Sequence, residues 1–183
     1  VEATRVGDTS HADMPYRPLA PGIGFYDIAG ARRIDKMSIP VQTLGASVLL
    51  PGDFRVTGEY ARIKVDSSSQ GLTRWGAYLA VSRQFGDWTP YVYYAKMKSP
   101  DDVLERYKAI NGNRVPPLPP PYDATRINQS QKLAADILSP YDQWTAALGT
   151  SYRLTPTTVL KAEWSHTRSG VVSSFIDAPS GSD

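Results

Sequence analysis

The sequence contains no cysteine among its 183 residues, which excludes disulfides, zinc-thiolate sites and thiol nucleophiles. It has little histidine: His11 and His166 are far apart and lack the spacing of metal ligands, so we predict no metal site. Neither a GxSxG motif, a P-loop nor a nucleotide fingerprint is present. We therefore predict that the protein is not an enzyme and uses no cofactor.

Long apolar runs and a strong charge of either sign are also missing. No run of about 18 apolar residues occurs, so no transmembrane helix is predicted. The formal net charge is +2, and no basic run interleaved with aromatic residues appears, which argues against a nucleic-acid partner. The first residues carry no signal-peptide pattern; either the mature chain begins here or upstream sequence is missing.

What the sequence does contain is period-two alternation, most clearly over residues 72–98. Apolar residues fill every second position from Trp75 to Val81 and return at Phe85, and a second strand follows directly after Gly86 and Asp87, which predicts a tight hairpin. The first strand has Trp75, Ala77, Leu79, Val81 and Phe85 on its apolar face; the second divides into Tyr91, Tyr93, Ala95 and Met97 on one face and Val92, Tyr94, Lys96 and Lys98 on the other. Each arm has about a dozen residues, roughly twice the usual strand length and enough to cross a bilayer at a tilt.

The same alternation recurs over residues 44–50, 54–60, 143–154 and 160–167. It predicts an all-β fold: an antiparallel up-and-down meander of about six or seven long strands, forming part of a transmembrane β-barrel. One partial-barrel domain is expected, with a loop-rich segment (1–33), two hairpins (34–99), a long proline-rich loop with short helices (100–141), a third hairpin (142–168) and a loop-like tail (169–183).

The connections fall into two classes that alternate along the chain. Residues 51–53, 86–87 and 155–157 are short turns, whereas 66–71, 99–141 and the tail are longer, as in outer-membrane barrels with short turns at one end. Within 99–141, a helix is predicted to start at Ser99 to Asp102, with Ser99 as a candidate cap, a proline in the first turn and early acidic residues, and to end at Asn111 and Gly112. A second helix is predicted over 126–138. The segment is expected to be an external loop rather than a constriction folded into the lumen.

The two faces of each strand suggest opposite environments. Small and charged residues on one face are typical of a water-filled lumen, and aromatic residues near strand ends on the other are typical of a lipid interface. The predicted pore-lining charges are Arg55, Glu59, Arg74, Lys96, Lys98, Arg153, Lys161 and Glu163; six are basic and two acidic, which predicts anion preference. The predicted lipid-facing residues are Phe54, Trp75, Leu79, Phe85, Trp144, Leu148, Tyr152, Leu160 and Trp164.

A soluble protein gives the same alternation with the faces reversed. The alternative is therefore a β-sandwich or curved-sheet binding module that holds a sugar or a peptide with the tyrosine-rich strand 91–94 and the long loop. The two interpretations differ in whether Trp75, Leu79, Leu148 and Leu160 lie in a sealed interior.

Three segments resemble the later hairpins of Gram-negative outer-membrane porins and porin-like proteins: GASVLLPGDFRVTGEYARIKVDSS, RWGAYLAVSRQFGDWTPYVYYAKMKS and DQWTAALGTSYRLTPTTVLKAEWSHTRS. The resemblance covers residues 34–99 and 142–183. It implies a trimeric channel of about sixteen strands in the bacterial outer membrane, surrounded by lipid and lipopolysaccharide, through which small hydrophilic solutes diffuse passively. Because about six strands are found and no aromatic-ended closing strand follows, we expect a fragment lacking the N-terminal half and the last strand.

Overall fold

The computed structural model describes residues 14–27, 39–65 and 73–172. The chain divides into two compact units. The first, the helical unit, comprises Val1–Val41, Ile63–Arg74 and Ser99–Tyr141; the second, the sheet unit, comprises Gln42–Arg62, Trp75–Lys98 and Asp142–Asp183.

The described residues form eight strands and two helices. In chain order they are β1 (Tyr16–Ala20), β2 (Ile23–Tyr26), β3 (Val41–Leu50), β4 (Phe54–Ile63), β5 (Arg74–Arg83), β6 (Trp88–Lys98), α1 (Asp101–Gly112), α2 (Ala124–Leu138), β7 (Asp142–Thr155) and β8 (Thr158–Ser169). Strands β3 to β8 form one six-stranded sheet in sequence order, and β1 pairs with β2 in a separate two-stranded sheet. The predicted β-meander is thus confirmed, and its strands are 10 to 14 residues long.

The hairpin between β5 and β6 closes at Gly86 and Asp87, as predicted. Phe85 and Trp88 exchange two main-chain hydrogen bonds of 2.7 and 3.0 Å across the turn. Gly86 has φ +58°, which is the conformation that a type II′ turn needs at its first central residue and that a residue without a β-carbon adopts at low cost.

The pairing of β5 with β6 decides which side chains share a face, because residues directly opposite in an antiparallel pair point the same way. Leu79 is opposite Tyr94, and Trp75 is opposite Lys98. Ala77 is opposite Lys96. Lys96 and Lys98 therefore lie on the same face as Trp75 and Leu79, and the prediction that grouped them with the charges of the other face is wrong.

The helical unit is built around the apolar stripe predicted for α1. Val103, Leu104, Tyr107 and Ile110 are all buried. Burial, with a smaller contribution from Asp136, raises the pKa of Tyr107 above its ordinary value. From α2, Ala134, Ala135 and Leu138 complete the buried set.

A fully buried amide joins α2 to the β1–β2 hairpin. Gln131 has 0% exposure; its Oε1 accepts from the main-chain N–H of Tyr26 and its Nε2 donates to the carbonyl of Tyr26, both at 2.8 Å. Asn113 donates to the same Oε1 at 3.2 Å and to the carbonyl of Gly24 at 2.9 Å. The Gln131 side chain thus continues the hydrogen bonding of β2 as a neighbouring strand would.

The C-terminal ends of both helices were predicted correctly. Helix α1 stops at Gly112 as expected, but Ser99 does not cap it: Pro100 is the N-cap residue, and Ser99 Oγ accepts from the N–H of Tyr141 at 3.0 Å. Helix α2 ends at Leu138 and begins two residues earlier than predicted, because Asp123 accepts from the N–H groups of Thr125 and Arg126 at 3.0 and 3.2 Å. Neither helix in the part of the chain that the structure describes has the length and apolar character needed to cross a bilayer.

The loop predicted for residues 1–33 is wrong where β1 and β2 form. Pro18 and Pro21 interrupt the alternation there, so the sequence signal for strands is weak, but Gly22 turns the chain with φ +73° and Arg17 forms an ion pair with Asp27. The strand start predicted near residue 34, the polar loop 66–71 and most of the tail lie outside the described residues.

Two strands form the edges of the six-stranded sheet, β3 and β8. All ten residues of β3 are exposed, and none of them is charged or a proline. Soluble proteins usually protect an edge strand with charges, prolines or bulges, because unpaired main-chain groups invite pairing with another strand. The β3 edge carries neither a charge nor a proline.

Candidate functional site

One face of the six-stranded sheet is apolar and exposed. Leu44 is 76% exposed, Leu79 55%, Leu148 59% and Leu160 57%. By strand alternation, the register of β5 to β8, the Tyr60–Trp75 stack and the Ser47–Thr57 contact on the other side, these side chains share one face, referred to here as the apolar face. They do not converge in a sealed interior, which is the arrangement that a sandwich requires.

Aromatic side chains gather on the apolar face at the end where the short turns lie. The rings of Trp88 and Tyr152 are 4.6 Å apart between centroids. The guanidinium of Arg83 lies 4.8 Å from the ring centre of Phe54 and 4.3 Å from that of Phe85, and its Nε donates to the carbonyl of Gly52 at 2.9 Å. This end therefore combines aromatic rings with a basic group that reaches toward the turn.

A second aromatic row crosses the apolar face toward the other end of the strands. Tyr60 stacks on Trp75 at 6.3 Å, Tyr94 on Trp144 at 5.8 Å, and His166 lies 5.6 Å from Trp144. Trp164, 6.4 Å from His166, is opposite Leu148 and lies nearer the middle of the strands than this row. All four tryptophans of the chain, at positions 75, 88, 144 and 164, belong to the apolar face. Trp144 and Tyr152, one from each row, are eight residues apart on β7, a separation of about 26 Å at about 3.3 Å per residue.

The opposite face, called the polar face, carries small side chains joined by hydroxyl hydrogen bonds. Ser47 and Thr57 are 3.0 Å apart between their oxygens, and Arg55 donates to Ser47 at 3.4 Å. Thr145 and Thr167 form a similar pair at 2.8 Å. These contacts link neighbouring strands without apolar packing, as expected of a surface in contact with water.

The most connected group on the polar face is a carboxylate held by two tyrosines. Tyr91 donates to Glu163 Oε2 at 2.7 Å, and Tyr93 donates to Oε1 at 3.1 Å. Tyr91 on β6 reaches Glu163 on β8 across Gly149, because the three residues are paired in one row across β6, β7 and β8. A β-carbon at position 149 would lie within 2.8 Å of Cε2 of the Tyr91 ring, so only glycine leaves room for this bridge.

We expect Gly149→Ala to destabilise the sheet by about 1–3 kcal/mol, because the added methyl group must displace a ring that Glu163 holds. The matched control is Gly76→Ala, whose β-carbon would meet Met97 Cε at an ordinary 3.9 Å. That variant should be neutral or slightly stabilising, since alanine restricts the unfolded chain. Urea unfolding of both variants measures the difference, and equal changes would show that Tyr91 does not fill the space above Gly149.

The register distributes the predicted site residues over both faces. Six of the eight predicted charges share the polar face: Arg55, Glu59, Arg74, Arg153, Lys161 and Glu163. The Arg74 guanidinium lies over the ring of Tyr141, 4.6 Å from its centre. All nine residues predicted to face lipid lie on the apolar face: Phe54, Trp75, Leu79, Phe85, Trp144, Leu148, Tyr152, Leu160 and Trp164.

Sequence reasoning missed the pairing of Tyr91 and Tyr93 with Glu163. The 43 residues that separate β6 from β7 leave the register between these strands unspecified by any turn, so no local signal places Gly149 under Tyr91. The faces of Lys96 and Lys98, by contrast, could have been predicted from the two-residue turn. With Phe85 opposite Trp88, odd-numbered residues of β5 must pair with even-numbered residues of β6.

A shallow depression of about 230 Å³ opens on the sheet within the sheet unit. Its lining comes from β4, β5, β6 and β7: Glu59, Ala61, Gly76, Ala77, Tyr78, Ala95, Lys96, Met97, Gln143, Trp144 and Thr145. Within residues 14–27, 39–65 and 73–172, no three His, Asp or Glu side chains are grouped as metal ligands would be. Comparisons with protein-family models, curated proteins and solved structures gave no match for this chain.

Proposed function

We propose that the six-stranded sheet is part of the wall of an outer-membrane porin-type channel, through which small hydrophilic solutes diffuse passively. The observation that carries the proposal is the continuous exposed apolar face with an aromatic row toward each end. A transmembrane barrel wall has this pattern: an outward apolar band about 25 Å tall between two aromatic girdles, with a polar surface on the other side.

The amount of exposed apolar surface favours a lipid environment over water. Trp164 is 68% exposed, and large apolar residues of every strand in the sheet are also exposed. Soluble monomers rarely expose contiguous apolar patches of more than a few hundred Å². The soluble binding module with a sugar or peptide ligand needs a second layer over this face, so the exposure counts against that alternative.

Basic side chains on the apolar face suggest where lipid head groups lie. Lys96 is opposite Trp144, which in turn is opposite Arg168, and Lys98 follows at the end of β6. Long basic side chains at this level can extend to phosphate groups while their stems stay in the apolar layer. The lysines that sequence reasoning assigned to the lumen thus become candidates for contact with lipopolysaccharide or other anionic lipid.

The polar face would border the hydrated lumen. Without Lys96 and Lys98, the predicted lining charges are four basic and two acidic, Arg55, Arg74, Arg153 and Lys161 against Glu59 and Glu163. An excess of positive charge along a pore raises the local concentration of anions. We therefore propose a weak anion preference, smaller than the full set of predicted charges would give. A trimeric assembly is the further expectation that the porin resemblance supplies.

Contact with lipid is tested by tryptophan fluorescence, since every tryptophan belongs to the apolar face. The full chain is refolded into phospholipid vesicles with and without brominated acyl chains, which quench only fluorophores in contact with them. We expect most of the emission to be lost with brominated lipid, and aqueous iodide to quench little. Strong quenching by iodide alone, together with a soluble monomer in detergent-free buffer, would contradict the proposal.

Conduction is tested separately in planar bilayers. We expect discrete conductance steps, and in a potassium chloride gradient a reversal potential that shows chloride to be modestly preferred over potassium. Membrane insertion without any conductance would support lipid contact of the apolar face but contradict the proposed channel. A cation-selective reversal potential would overturn the proposed anion preference.

A further inference from the structure

The depression lies on the polar face of the sheet, and its shape follows from the register. On the polar face, Tyr78 is opposite Ala95, and Ala95 is opposite Thr145. In the next row, Gly76 is opposite Met97, and Met97 is opposite Gln143. The floor is low where alanine and glycine lie, and the larger side chains beside them form its walls.

The charge at the depression has one sign. Glu59 contributes the carboxylate, whereas Lys96, which also lines the depression, projects to the opposite face according to its pairing with Ala77 and Trp144. Lys96, Ala77 and Trp144 therefore reach the depression through main-chain atoms. An acidic group beside an otherwise largely apolar floor matches a ligand with one positive charge and an apolar body.

The size of the depression limits the ligand to a small molecule. Its volume of about 230 Å³ lies below the roughly 300–1,000 Å³ of sites for drug-sized ligands. The aromatic ring of Tyr78 and the thioether of Met97 add surfaces that attract cations and flat apolar groups.

We propose that this depression binds small organic ammonium ions that carry an aromatic or short aliphatic group. The ammonium group pairs with Glu59, and the apolar group lies over Gly76 and Ala95 against Met97. The binding requires only the polar face of the folded sheet, so it can be tested independently of conduction.

The test uses the full chain refolded in detergent, labelled with ¹³C at the methionine methyl groups. The sequence has three methionines, so Met97 is assigned by comparison with Met97→Leu, and the buried Met14 serves as an internal reference. Three probes of similar size are titrated: benzylammonium, benzyl alcohol and benzoate. We expect the Met97 signal to shift with benzylammonium at the lowest concentration, with benzyl alcohol at a higher one, and with benzoate least.

Two variants separate the charge from the shape. Glu59→Gln should weaken benzylammonium by about threefold to fivefold and leave benzyl alcohol unchanged, as expected for an exposed ion pair. Gly76→Val fills the floor and should weaken all probes; it should also fold, because valine is favoured in strands and the β-carbon has room. Glu163→Gln removes the same charge from the same face outside the depression and should have no effect.

Equal binding of the three probes, no shift at Met97, or an unchanged benzylammonium affinity in Glu59→Gln would each overturn the proposed site. A chain that binds benzylammonium but does not conduct would support the proposed binding site and contradict the proposed channel. A chain that conducts but shows no Met97 response would support the channel and contradict the binding site.

Discussion

If the apolar face is the lipid-facing wall proposed above, Leu148→Arg should destabilise the membrane-inserted protein by about 2–4 kcal/mol, the cost of a basic side chain near the bilayer midplane on the lipid face of a barrel. Leu148 lies four residues from Trp144 and four from Tyr152, midway between the two aromatic rows, and it is exposed. A guanidinium at this position is too far from either head-group layer to reach water easily. Equilibrium unfolding in urea from lipid vesicles measures the loss.

The matched control is Ser165→Arg, which places the same side chain on the polar face. Ser165 is on β8 opposite Ala147, immediately next to the pair that Leu148 forms with Trp164. Since an exposed position in contact with water tolerates a charge, we expect a change within about 0.5 kcal/mol. If the two variants lose similar stability, or if Leu148→Arg only makes the chain more soluble, the apolar face does not meet acyl chains.

Gln131→Leu is expected to cost about 2–4 kcal/mol in the helical unit. The substitution keeps the volume almost unchanged but removes the partners of the Tyr26 N–H and carbonyl, and it takes one acceptor from Asn113. Buried main-chain groups without a partner cost about 1–3 kcal/mol each, so the loss exceeds that of an ordinary surface change. Thermal or urea unfolding followed by far-ultraviolet circular dichroism reports the loss of helix.

Gln129→Leu provides the control, because it changes the same residue type on the same helix at an exposed position. It should alter stability by less than about 0.5 kcal/mol. A small effect of Gln131→Leu as well would mean that water or a rearranged hairpin replaces the lost hydrogen bonds. The idea that the amide ties α2 to β2 would then be wrong.

Several elements were predictable because local chemistry determines them. The turn at Gly86 and Asp87 is specified by a glycine where positive φ is needed. The end of α1 was predicted at the right place, although Gly112 is the last helical residue and the C-cap residue is Asn113 in an extended conformation. The hydrophobic patterns of β7 and β8 also predicted that Trp144 and Trp164 share a face. A two-residue turn at 156–157 would by itself place Trp144 and Trp164 on opposite faces of the sheet. An irregularity between Arg153 and Thr155 shifts the register by one residue, so that the two tryptophans lie on the same face.

The sequence by itself determined the meander, the lengths of its strands, the helices within 99–141 and the composition of each strand face, because period-two and helical periodicity are local properties. Only the tertiary structure decided which faces are combined, since a shift of one residue between two strands moves every side chain to the other side. That is why Tyr91 crosses Gly149 to Glu163 and why Glu59 shares a depression with Met97, whereas the faces of Lys96 and Lys98 already follow from the two-residue turn at Gly86 and Asp87. Each of these contacts joins residues whose relative position is set by main-chain pairing between strands.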